Sequence, residues 1–167
     1  MLLVWKLALL VFKLVTKIKN METLSYETVI DAPKQKVWDV LFGKETYSEW
    51  TQFFGPGSQM KTDWKVGGKT YFVNQKGAGM VSTIDSIEEP DQMIFKHLGM
   101  IDENGVEDTE SMEIKQWSGC FEKYILIDYD GKTKLHVEVQ TEKDWEEHMQ
   151  NGFTKGLEVV KNLSEAK

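Results

Sequence analysis

Polar and apolar residues alternate over 22–31 (ETLSYETVID), which predicts a first strand ended by Ala32-Pro33. Asp31 stands at an N-cap position, with proline early in a helix expected from about Pro33 to Phe42. In that helix Val37, Trp38, Leu41 and Phe42 recur at helical spacing, and Gly43 closes it. A second short helix over 45–50 precedes the turn FFGPGS. Antiparallel strands are then predicted over Lys69–Asn74, Gly79–Ile87, Met93–Gly99, Ser111–Trp117, Cys120–Tyr129 and Leu135–Gln140. Turn residues separate them, and Asp130-Gly131 is the strongest hairpin signal.

From Asp144, a candidate cap, a long helix is expected to about residue 164, with Trp145, Met149, Phe153, Leu157 and Val160 on one stripe. Gly152 and Gly156 lie on or near that face. Each interior glycine costs a helix roughly 1 kcal/mol, so a close neighbour is expected there, either a bent strand or a ligand. The order is β-α-α-β6-α. It describes an α+β domain in which a curved antiparallel sheet of about seven strands wraps a long C-terminal helix. There is no internal repeat, low-complexity tract or linker, so residues 21–167 read as one domain and residues 1–20 as an extension.

That extension, MLLVWKLALLVFKLVTKIKN, is apolar but interrupted by Lys6 and Lys13, too early for a membrane-spanning run. As a helix it would set Lys6, Lys13 and Lys17 within about 40° of one another, opposite a broad apolar face, the pattern of a peripheral membrane anchor. The alternative is that translation starts at Met21. Residues 21–167 hold 16 lysines and 27 acids, 16 − 27 = −11, and the sequence has no arginine. Nucleic-acid binding is therefore disfavoured, and anion recognition would have to use lysines, backbone amides or hydroxyls. A single cysteine, Cys120, rules out an intrachain disulfide and fits a reducing cytoplasm.

The segments VIDAPKQKVWDVL, EWTQFFGPGSQM, DWKVGG, GMVSTIDSIEEPDQMIFKHLG and WEEHMQNGFTKGLEVVKNL, in that order, resemble the bacterial branch of the Hsp90 ATPase activator family. That family lies within the superfamily of START-like, Bet v 1-like domains, and the resemblance covers about residues 22–165. It implies a helix-grip fold with a cavity between sheet and C-terminal helix, a place used in the superfamily for lipids, sterols, hormones or polyketides. The candidates to line it, assigned by alternation, are Trp50, Phe53, Phe54, Phe72, Met80, Phe95, His97, Tyr124, Trp145, His148, Met149, Phe153 and Gly156. Packing in the core is the alternative for any one of them. Burying ~300 Å² of an apolar ligand at ~25 cal/mol/Å² yields about 7 kcal/mol gross, so micromolar affinity is the ceiling without polar anchors. His97, Tyr124, His148 or a backbone amide would have to supply them.

No HExxH, paired-histidine, GxSxG or phosphate-cradling motif occurs, so no metal site, cofactor or hydrolytic centre is expected. His136 in LHVEVQ is expected on the outer face, and Cys120 to be structural. The acidic run from Asp102 to Glu113 reads as a solvated loop. The primary reading is thus a non-catalytic module for a hydrophobic small molecule. The alternatives are an interaction protein for an Hsp90-type chaperone and a polyketide cyclase-like enzyme using His97 or His148 beside a tyrosine. A homodimer stays open.

Overall fold

The computed structural model describes residues 21–167. Strand β1 (Met21–Ile30) leads into helices α1 (Lys34–Phe42) and α2 (Lys44–Thr51). There follow β2 (Gln59–Thr62), β3 (Lys69–Val73), β4 (Gly79–Glu88), β5 (Gln92–Ile101), the short β6 (Glu107–Asp108), β7 (Phe121–Tyr129), β8 (Lys132–Glu142) and the long α3 (Glu146–Glu165). These strands pair antiparallel in the order β1-β8-β7-β5-β4-β3-β2, with β6 added to the end of β5. Among the described residues the first strand therefore pairs with the last. Among the described residues no helix is long and apolar enough to cross a membrane, and the anchor expected of residues 1–20 lies outside them.

Period-two alternation decides which face is inner. On β8, Leu135, Val137 and Val139 are buried while Lys134, His136 and Glu138 face outward, where His136 lies 3.3 Å from both Glu27 and Glu138. The hairpin at Asp130-Gly131 takes positive φ at both residues, 50° and 80°, as its twist requires. Gly43 closes α1 and also starts α2, and its N–H returns to the Asp39 carbonyl.

Several local expectations are corrected. Ser111–Trp117 is not a strand but a loop holding a 3₁₀ turn over Ile114–Gln116. The Asp108 carboxylate takes the N–H groups of Glu110 and Ser111, and the Ser111 hydroxyl takes that of Ile114, so side chains satisfy backbone donors that a strand would have paired. The acidic run nevertheless supplies β6, where Glu107 accepts from Tyr71 at 2.8 Å. Strand β2 was not expected, being short. Neither Asp31 nor Asp144 caps a helix: the Asp31 N–H bonds to Glu165 at 2.8 Å, and a 3₁₀ turn over Lys143–Trp145 precedes α3.

What approaches the α3 glycines is neither a strand nor a ligand but the end of α2. A Cβ on Gly156 would lie 2.7 Å from the Trp50 carbonyl oxygen and 3.0 Å from its indole, and one on Gly152 would lie 2.3 Å from the Phe54 ring. Trp50 is held from the other side, its indole N–H donating to the Leu41 carbonyl at 2.9 Å. Gly156→Ala should therefore destabilise the domain by about 1–3 kcal/mol despite its better helix propensity, because backbone stands in the way. Gly152→Ala should cost less, since the Phe54 ring can swing aside. Urea unfolding of both variants measures the difference.

Candidate functional site

A cluster of buried aromatic side chains packs between the sheet and α3. Trp50, Phe95, Tyr124 and Phe153 are each no more than 2% exposed. Phe42 packs edge-on against Tyr124 and Phe95, and Phe72 packs edge-on against Phe95.

Across this apolar interior runs a row of polar side chains. Register sets Thr62, Thr70, Ser82 and His97 opposite one another on β2, β3, β4 and β5, and Glu122 continues the inner face on β7. A bulge makes the row continuous. Val81 pairs with Gly99 and Ser82 with His97, so Leu98 is the extra residue that brings Ser82 into line with the imidazole. The two threonine hydroxyls share a hydrogen bond at 2.9 Å, and Ser82 Oγ shares one with His97 Nδ1 at 2.8 Å. His97 Nε2 lies 3.5 Å from Glu122 Oε2, and the Tyr124 hydroxyl donates to Glu122 Oε1. The backbone of β5 is fixed there as well, the His97 N–H donating to the Cys120 carbonyl at 2.8 Å.

Serine, histidine and glutamate in series have the connectivity of a hydrolase relay, but access runs the wrong way. Ser82 is fully buried and the His97 side chain is 6% exposed, whereas the Glu122 side chain is 18% exposed. A relay must offer its hydroxyl to the substrate; this one offers its carboxylate. Burial, and secondarily the charge of Glu122, pushes the phenols of Tyr47 and Tyr124 well above the ordinary tyrosine range. Both therefore stay neutral and available as donors.

The candidates divide by position. Trp50, Phe72, Phe95, His97, Tyr124 and Phe153 meet in the interior. Gly156 lies under Trp50, Phe54 covers Gly152, Met149 is half-buried against the core, and half-buried Met80 pairs with Phe72. Phe53 turns away, its ring under the Lys155 ammonium at 6.0 Å. Trp145, 55% exposed, and exposed His148 pack edge-on at 5.6 Å outside the interior, because the 3₁₀ turn puts Trp145 out of phase with the α3 stripe. That removes His148 as an interior anchor. The Cys120 thiol is raised by burial and then by Glu142, which fits an inert cysteine.

Tyr47, Ser82 and Glu122 were not anticipated, although alternation contains the last two. Once Tyr124 faces inward so must Glu122, and Ser82 follows Met80 in the same way. A separate shallow groove of about 470 Å³ runs between β1 and α3, beside Tyr26 stacked on Phe153 at 4.9 Å. Among the described residues no cluster of three metal-ligating side chains occurs.

The family model described as activator of Hsp90 ATPase homolog 1-like protein matches residues 31–164. No curated protein matches the sequence. The fold is similar to that of the Aha1 dimer from Colwellia psychrerythraea, with a TM-score of 0.64 and 14% identity over 86% of this chain and 96% of that one. It is also similar to CalU16 from Micromonospora echinospora, with a TM-score of 0.60 and 16% identity over 85% of this chain and 65% of that one. DynU16, from the dynemicin biosynthetic locus, gives a TM-score of 0.59 and 14% identity over 84% of this chain and 46% of that one.

The raised phenols set an alkaline limit. A tyrosine whose folded pKa exceeds its unfolded value of about 10 contributes its full share of stability below that pH. As pH rises towards the folded value, the unfolded chain ionises first and that share is lost. The variant Tyr47→Phe/Tyr124→Phe should show a shallower fall in urea midpoint than the parent between about pH 9.5 and 11.5.

Proposed function

Because the chain belongs to the family of activator of Hsp90 ATPase homolog 1-like proteins, we propose that it is a non-catalytic module binding a small, largely apolar molecule on the inner face of its sheet. The observation that carries this reading is the polar row ending at Glu122. Its members are hydrogen-bonded, yet placing them in an aromatic interior gains little stability over an apolar filling of the same shape. What the row does supply is one solvent-reached carboxylate held by a neutral phenol.

Half-buried apolar side chains border that end. Leu24 pairs with Val139, the register partner of Glu122, and Met60 pairs with Phe72, whose ring lies 6.2 Å from His97. Such side chains can yield to an incoming apolar group at lower cost than the fully buried core beneath. The fully buried Ser82 weighs against a cyclase or hydrolase using this row. Family membership favours a second reading, contact with an Hsp90-type chaperone, and the dimeric relative of similar fold favours self-association alongside either one.

Native mass spectrometry of the protein purified from its own cells, with and without residues 1–20, is expected to show a co-purifying species of defined small mass. A bare protein mass, together with stimulation of the cognate chaperone's ATPase by the full chain, would replace the first reading with the second.

A further inference from the structure

We propose that Glu122 selects the ligand's charge: the molecule this site takes carries a cationic ammonium head on an apolar body, not the carboxylate head of a fatty acid. This rests on the binding reading above and deepens it.

The argument begins with what faces the carboxylate. Tyr124 donates to one oxygen, and His97 stands 3.5 Å from the other. An ionised carboxylate offers about four acceptor positions, so these neighbours leave room for a further donor. Among the described residues no lysine pairs with Glu122, and the chain has no arginine. The adjacent Lys123 faces the other side of the sheet and pairs with Glu138 at 3.2 Å, and Lys96 sits over the Phe121 ring at 5.8 Å. The inner end of the polar row therefore holds a carboxylate whose neighbours are a phenol and an imidazole, with neither of the lysine or arginine side chains that normally accompany a buried one.

The surroundings agree with the sign. Phe72, Phe95, Tyr47 and Tyr124 ring this end, with Phe72 to Phe95 at 5.1 Å and Tyr47 to Phe72 at 6.3 Å. Aromatic faces attract an ammonium and offer nothing to an anion. The phenols of Tyr47 and Tyr124, kept neutral by burial, add no competing charge. At longer range the −11 charge of residues 21–167 draws cations in and turns anions away. An alkanoate would bring its charge against Glu122 inside this shell, whereas an alkylammonium would form a charge-assisted hydrogen bond there.

The test uses the full chain near pH 7 and three probes of equal chain length below their micelle concentrations: dodecylammonium, dodecanol and dodecanoate. Binding is read by calorimetry and by the summed tryptophan fluorescence of the six tryptophans, to which Trp50 next to Tyr124 contributes. The expected result is that dodecylammonium binds about tenfold or more tighter than dodecanoate, and that Glu122→Gln brings the two within about twofold. A circular-dichroism melt checks that this variant folds, and the probe ranking on the unaltered chain decides the charge preference if it does not. Equal binding of all three probes, or tighter binding of dodecanoate, overturns the cationic preference and leaves the binding module standing. A cation preference that persists in folded Glu122→Gln overturns the assignment to Glu122. No binding of any probe overturns the binding reading itself.

Discussion

The arrangement of the interior depends on the close approach of α3 to the end of α2, where Gly156 lies on the Trp50 carbonyl and Gly152 on the Phe54 ring. Trp50 is fixed from three directions at once, through its indole N–H to Leu41, its backbone against α3 and its ring against Tyr124 and Phe153. Helices normally keep 8–10 Å between axes, and only missing side chains allow less. With the two glycines in place, one tryptophan can act as the common wall of two helices and the sheet. The aromatic interior is built outward from that wall, with Phe54, Tyr124 and Phe153 packed around Trp50.

Filling the interior shifts attention from a cavity to an edge. Once the aromatic side chains are packed, the inner face offers function only where a polar group reaches water, and among the members of the row from Ser82 that group is Glu122. Behind it, Ser82 holds the His97 imidazole in place. The same three residue types, with their exposures reversed, would be read as a nucleophilic relay. Order of access, more than identity or distance, sets this row apart from such a relay.

Much of the architecture could be read from alternation and turn residues, because strands such as β8 keep strict period two and Asp130-Gly131 admits one tight hairpin. The misreading at Ser111–Trp117 came from Asp108 and Ser111, whose short side chains bond to nearby backbone in a way that no periodicity reports. Alternation places His97 and Tyr124 on the inner face, where the structure buries both. Glu122 was passed over because a glutamate in a strand is expected to face water, and the bulge that aligns Ser82 depends on a single extra residue, Leu98. The glycines on α3 did signal a close neighbour, but a sequence cannot say whether that neighbour is ligand or protein.

The pairing of β1 with β8 also bears on how the molecule comes into being. All ten residues of β1 find their partners in a strand more than a hundred positions later, and the junction after β1 is tied by Asp31 to Glu165, almost at the chain's end. A ribosome makes β1 about a hundred residues before it supplies β8. Until then the strand has open hydrogen-bonding edges and an inner face with nothing to cover it. Closure must wait until synthesis is nearly complete, so this domain folds largely after translation and depends during it on whatever shields a nascent strand.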